Sequence, residues 1–172
     1  MTSIDRKFIT ENILNLLDYS GVADSDFANL IEKSSRTMVR IRKGEALFTI
    51  ESINIATQFF DKTLDELNTL KIEFEENYRN KLKGIHKSDT SFYAVLEKRP
   101  TITYAINYYL LEHYEFQTSG LIVDKIKDFF KSFGWDYSSS YISSSMKRNN
   151  KQIFVAGTEI VDGNEVNVYK KK

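Results

Sequence analysis

The stretch from Ser35 to Lys43 reads SRTMVRIRK and joins hydroxyl and guanidinium donors to apolar residues at helical spacing. Hydroxyls and guanidinium groups donate hydrogen bonds, and guanidinium forks suit phosphate and base edges. On a helix, Ser35, Arg36, Thr37 and Arg40 can share one exposed face. Met38 and Ile41 then point inward, with Val39 nearer the boundary. A bidentate contact from Arg36 to a guanine edge is worth about 1–3 kcal/mol of discrimination. Arg42 and Lys43 close the helix. There they can meet phosphates or simply complement the helix dipole. A second cluster lies near the other end of the chain. Ser140 and Ser144 supply short polar donors, and Lys147, Arg148 and Lys151 supply positive charge. In that stretch Tyr141, Ile142 and Met146 are expected in the core. Donors of these kinds suit the grooves and phosphates of double-stranded DNA, while a solvated helix end and, for the second cluster, a dimerisation or protein-binding surface fit the same residues.

The residue inventory argues against catalysis. The chain has no cysteine, which excludes disulfides, thiol chemistry and Cys-based metal sites. His86 and His113 are too few for a His-rich metal site. No Gly-rich phosphate loop follows a strand pattern. The serine run has no histidine near it in sequence to activate a nucleophile. Asp61, Asp65, Glu66 and the pair Glu75-Glu76 read as surface helix charges. No enzyme activity, cofactor or metal is expected. Lys+Arg and Asp+Glu are both 24, so any polyanion binding must come from a local patch. Residues 7–67 even hold more acidic than basic side chains. No apolar run is long enough for a bilayer, so no membrane association is expected. Residues 1–9 lack the apolar core of a secretory signal, and the expected compartment is the cytoplasm.

Short helices must position the first cluster. Phe8, Ile13, Leu16 and Leu17 have helical spacing, and Gly21 is a natural stop. Asp24 or Ser25 can cap a second helix carrying Phe27, Ala28, Leu30 and Ile31. Ser34 can cap a third, from Ser35 to about Lys43, with Gly44 just past its end. Thr49 can cap a fourth, with Ile53, Ala56 and Phe59 or Phe60 on its apolar face. Thr63 and Glu66 form a capping box for a fifth. Five helices this brief need each other's apolar faces and imply a bundle.

Residues 13–67 resemble the Cro/C1-type (Xre-family) helix-turn-helix regulators. The stretch DFANLIEKSSRTMVRIRKGEALFTIESINIATQFFDKTLDEL carries most of the match. The resemblance makes Phe27-Ala28 the centre of the second helix and Ser35–Arg42 the recognition helix. It implies a sequence-specific transcriptional regulator, of the repressor kind, reading the major groove. Arg42 and Lys43 then contact phosphates. A homodimer would set two recognition helices about 34 Å apart over a near-palindromic site. Three positions depart from the family pattern. Lys33 stands where an apolar turn residue is usual. Arg42 stands where Glu is usual. Asp24 falls where Gln often begins the second helix, and its carboxylate repels phosphate.

The rest of the chain predicts a second domain. An apolar helix runs from Ile102 to about Tyr114, and another starts at Thr118 with Leu121, Ile122, Ile126, Phe129 and Phe130 buried. A third spans roughly Ser139 to Arg148. Two alternating segments, Gln152–Ala156 and Glu165–Lys170, flank the turn signal VDGN. This order resembles a winged-helix domain, with the third helix as groove helix and the hairpin as wing. The expected division is 1–68, a helix-turn-helix domain; 69–99, a connecting helix and loop; and 100–172, a winged-helix-like domain. The expected fold class is mainly α: a five-helix bundle plus an α+β domain of three helices and a β-hairpin. Residues 70–76 fit either a strand or part of a helix ending near Gly84, and length favours the helix. Two other functions fit the same residues. One is a protein-interaction adaptor that keeps the bundle without binding DNA. The other is a ligand-sensing repressor with an effector pocket under the Tyr104–Tyr114 helix.

Overall fold

The computed structural model describes residues 3–172. The chain is mainly helical, with a small three-stranded antiparallel sheet near its C-terminal end. It divides into two compact units, one reaching Lys98 and one running from Arg99 to Lys172. Each has its own apolar core. No helix among the described residues is long and apolar enough to cross a membrane.

The first unit holds α1 (Arg6–Ser20), α2 (Asp24–Leu30), α3 (Ser35–Arg42), α4 (Ile50–Phe60), α5 (Leu64–Thr69), α6 (Tyr78–Ile85) and α7 (Thr90–Glu97). Short polar side chains start most of them. Ser34 accepts from the Thr37 amide, Thr49 from Ser52, and Thr63 forms the capping box with Glu66. α2 departs from expectation. Its N-cap is Ala23, and Asp24 is the first helical residue rather than the cap. The Asp24 carboxylate is thereby left for a partner elsewhere. Ile9, Ile13, Leu16 and Leu17 from α1 meet Phe27, Met38, Ile41, Phe59 and Phe60 in the core. Burial of such faces holds helices that would be marginal alone.

Residues 69–98 fall within this first unit, and Tyr78, Leu82 and Leu96 are buried in its core. Residues 70–76 adopt neither a strand nor a long helix. The reason is Asn12, buried in α1 at 2% exposure. Its Nδ2 donates to the carbonyls of Leu67 and Leu70, both at 2.8 Å, and its Oδ1 accepts from the Ile72 amide at 3.1 Å. The side chain thus supplies backbone partners that a continuing helix would have supplied. α6 begins only after Asn77, which is left-handed at φ 61°. Arg79, 5% exposed, donates to the carbonyls of Ser20 (2.7 Å), Leu96 (2.9 Å) and Lys98. It ties the end of α1 to the end of α7. The His86 ring stacks on Phe59, with centroids 5.8 Å apart, and its Nε2–H donates to the Phe59 carbonyl at 2.7 Å.

The second unit holds α8 (Ile102–Tyr108), a 3-10 turn (Leu110–Glu112), α9 (Tyr114–Thr118), β1 (Leu121–Ile122), α10 (Val123–Lys131), α11 (Ser139–Arg148), β2 (Ile153–Val161) and β3 (Asn164–Lys171). The apolar run after Pro100 is therefore three short pieces, not one helix to Tyr114. Leu121 and Ile122 do not extend the following helix either. They pair with Tyr169 and Val168 of β3, giving the strand order β1-β3-β2. Gly120 makes this possible. Its φ is +81°, and a Cβ there would meet the Tyr169 oxygen and Val168 Cγ1, both at 2.8 Å. Asp162 and Gly163 turn the hairpin with φ of 50° and 79°, the conformation their sequence favours. Phe116, Phe130, Tyr137, Ile142 and Met146 form the core.

Candidate nucleic-acid interface

α3 is anchored on one side and open on the other. Met38 and Ile41 are 1% and 3% exposed. Ser35, Arg36, Arg40 and Lys43 are exposed. Arg36, Arg40 and Lys43 fall at i, i+4 and i+7, one stripe along the helix. Thr37 is half-buried, and its hydroxyl lies 3.0 Å from the Ser34 hydroxyl, inside the capping arrangement. Arg40 Nε lies 4.0 Å from Glu45, with both side chains more than half exposed. Such a pair contributes little and gives way to a better acceptor. Arg36 and Lys43 have no carboxylate partner among the described residues. Val39 adds an apolar contact on the open side at 52% exposure.

Arg42, expected to contact phosphate, is engaged by two carboxylates. Its Nε and Nη2 donate to the two oxygens of Asp24 at 2.9 and 2.7 Å. Its Nη1 and Nη2 donate to the two oxygens of Asp18 at 3.2 and 2.9 Å. Burial works against the charge. The hydrogen bonds to Asp24 and Asp18 and their negative charges outweigh it and hold the guanidinium even more firmly protonated than usual. The clamp joins the end of α1, the start of α2 and the end of α3. Asp24 and Arg42, 18 residues apart in sequence, are thus bonded to each other.

Two further acids of this unit have partners of their own. Asp26 turns to Lys98 Nζ at 2.6 Å. Glu51 lies at the start of α4, where its own backbone amide and then the Thr49 hydroxyl hold its carboxyl below the usual range.

α11 presents a comparable surface in the second unit. Ser140, Ser144, Lys147 and Lys151 are exposed. The first three fall at i, i+4 and i+7 of α11, and Lys151 continues their spacing just past the helix end. Lys147 and Lys151 have no carboxylate partner among the described residues. Arg148 is partly occupied. Its Nη2 donates to the Ser145 hydroxyl at 3.0 Å, and its guanidinium lies 5.9 Å from the Tyr141 ring centroid. Ile142 and Met146 are buried, whereas Tyr141 is 40% exposed and lies outside the core.

Comparison with family models, curated proteins and solved structures finds no match. The geometry of these two helices therefore carries the functional argument.

Other candidate chemistry is used structurally. His86 is built into the first core, and His113 caps α9 by accepting from the Phe116 amide at 3.4 Å. Tyr109 meets Trp135 edge-on at 4.8 Å, and Phe133 stacks on Trp135 at 4.9 Å. These rings pack on one another. Among the described residues no group of three or more His, Asp or Glu is placed to hold a metal ion. Sequence reasoning missed Asp18 as an Arg42 partner, and Asn12 and Arg79 as buried clamps. Asp18 had a weak signal: it lies just before Gly21, and therefore at a helix end where other elements converge.

Proposed function

We propose that the protein is a sequence-specific double-stranded DNA-binding regulator that reads the major groove with α3. The observation that carries this reading is the open stripe on α3. Arg36 and Lys43 stand free of carboxylates on a helix fixed from behind by Met38, Ile41 and the Arg42 clamp. A recognition helix needs this combination, because base contacts reward only side chains held in register. Ser35, Arg36 and Arg40 supply base-edge donors, and Lys43 supplies phosphate contact. Arg42 sets the helix in place instead of touching DNA.

The element order supports the finer assignments. α1–α5 are the five short helices that the Cro/C1-type resemblance implies, and in this reading α2 and α3 are the helix-turn-helix pair. The second unit runs two short helices joined by a 3-10 turn, a short strand, two helices and a hairpin, with the short strand on β3. With the first helix broken into pieces, this order resembles that of a winged helix, in which α11 would be the groove helix. Ser140, Ser144, Lys147 and Lys151 then give a second contact, so one chain can span two grooves. The wing tip, with Asp162 and Glu165 exposed, is poorly suited to phosphate.

A protein-interaction adaptor on the same scaffold is favoured by one observation: Asp18 and Asp24 remove a cation from the candidate face. Selection of bound sequences from a random duplex library by the full-length protein separates the two. The regulator reading expects an enriched motif, palindromic if the protein acts as a dimer. Folded protein that enriches nothing overturns it.

A further inference from the structure

The outer side of the sheet in the second unit carries a groove that duplex reading leaves unused. It is lined by Gln117, Phe154, Lys170, Lys171 and Lys172 and has a volume of about 790 Å³. Strand register explains its composition. Phe154 lies opposite Lys170, and Ile153 opposite Lys171. Residues alternate faces along a strand. Ile153 is 2% exposed, so Phe154 and Lys170 take the outward face. Lys172 follows Lys170 by the same alternation, and its amide donates to the Gln152 carbonyl at 2.8 Å. Phe154 remains 40% exposed. Gly120 lets the turn after α9 lie directly against Val168, Tyr169 and Lys170, which brings α9 beside the strand. Gln117 of α9 borders the groove. Tyr114, three residues earlier, shares a side of that helix with Gln117 and is 78% exposed.

Charge is segregated along the hairpin. Glu159, Asp162 and Glu165 lie exposed toward the tip, and the three lysines lie at the base. Glu112 pairs with Lys171 here, 3.5 Å from its Nζ. Lys170 and Lys172 have no carboxylate partner among the described residues.

We propose that this groove binds a segment of single-stranded nucleic acid. Lys170 and Lys172 contact its phosphates, and Phe154 and Tyr114 give its bases surfaces to stack on. Exposed aromatic faces beside unpaired cations suit a single strand, whose bases are open to stacking. A duplex keeps those faces covered.

The test is binding of a labelled oligothymidylate to the full-length protein, followed by fluorescence anisotropy over a salt series. Phe154→Ala is expected to weaken binding about tenfold. Lys170→Gln combined with Lys172→Gln should reduce the salt slope by about 1.4 units, two phosphate contacts on a single strand. Lys87→Gln, an exposed cation of neither basic surface, should leave oligothymidylate binding unchanged. Circular dichroism checks that each variant is folded. Absence of oligothymidylate binding overturns the proposal. So does unchanged affinity in both groove variants. Inorganic polyphosphate that competes as strongly as unlabelled oligothymidylate overturns it too, because bases then contribute nothing.

Discussion

α3 and α11 both carry basic residues in their last turn, yet the two units hold them differently. α3 is fixed by an ionic clamp, with Arg42 shared between Asp18 and Asp24. The unit around it uses further buried polar ties, from Asn12 and Arg79. α11 is fixed by apolar packing, with Ile142 and Met146 inside and Lys147 left outside. A basic residue at a helix end becomes structural where acids from other helices converge on it. It stays a surface charge where none do. The neighbouring sequence does not decide this, because Asp18 and Asp24 lie well upstream of Arg42.

The largest effect should come from breaking the first unit's polar ties. Arg79→Met leaves the Ser20, Leu96 and Lys98 carbonyls without that donor. Loss of stability of about 3 kcal/mol or more is expected, because hydrogen bonds to a buried cation are among the strong ones. Urea unfolding measures it. No comparable loss would show that apolar packing holds both units alike.

Two arginines on α3 should then separate. Arg36→Ala should leave the melting temperature unchanged and reduce discrimination at one base pair by about 1–3 kcal/mol. Arg42→Ala should do the reverse. It should lower stability by about 1 kcal/mol, the scale of a partly exposed but multiply bonded ion pair. Any loss of DNA affinity should then affect all sequences and recover in part at lower temperature. An Arg42→Ala protein with unchanged stability would break the contrast drawn between the two helices.

A smaller effect is expected from α11. Lys147→Ala with Lys151→Ala should weaken duplex binding without changing the preferred sequence. The salt slope should fall by about 1.8 units if both residues contact duplex phosphate. The smallest effect concerns the α5 capping box. The Thr63 backbone amide, and then its hydroxyl, hold the Glu66 carboxyl below its usual range. A carboxyl lowered on folding stabilises the fold above its unfolded pKa and loses that contribution as pH falls through the folded value. Glu66→Gln should therefore narrow the stability difference between neutral and acidic solution, as thermal melts across that range will show.

Local signals made much of the first unit legible. Ser34, Thr49, Thr63 and Gly21 mark helix ends in the sequence, and each does so in the structure. The helix expected over Ser139–Arg148 is present with those bounds. The hairpin was visible from Asp162-Gly163, although its strands run longer than the alternation suggested. What the sequence concealed depends on distant partners. Residues 70–76 are governed by Asn12, and Leu121-Ile122 by β3, so neither could be assigned from local period. The same holds for the candidate site. Helical spacing put Arg36 and Arg40 on the open side of α3, but it did not show Thr37 drawn into the cap or Arg42 engaged, which required knowing where α1 ends and α2 begins.

The central claim is that the open face of α3 reads bases while Arg42 only holds the helix. Its most direct test is the affinity ratio for a selected motif over a scrambled duplex, measured for wild type, Arg36→Ala and Arg42→Ala at one salt concentration. The account predicts that the ratio falls in Arg36→Ala and stays near the wild-type value in folded Arg42→Ala. A ratio unchanged in Arg36→Ala, or lost only in Arg42→Ala, would contradict it.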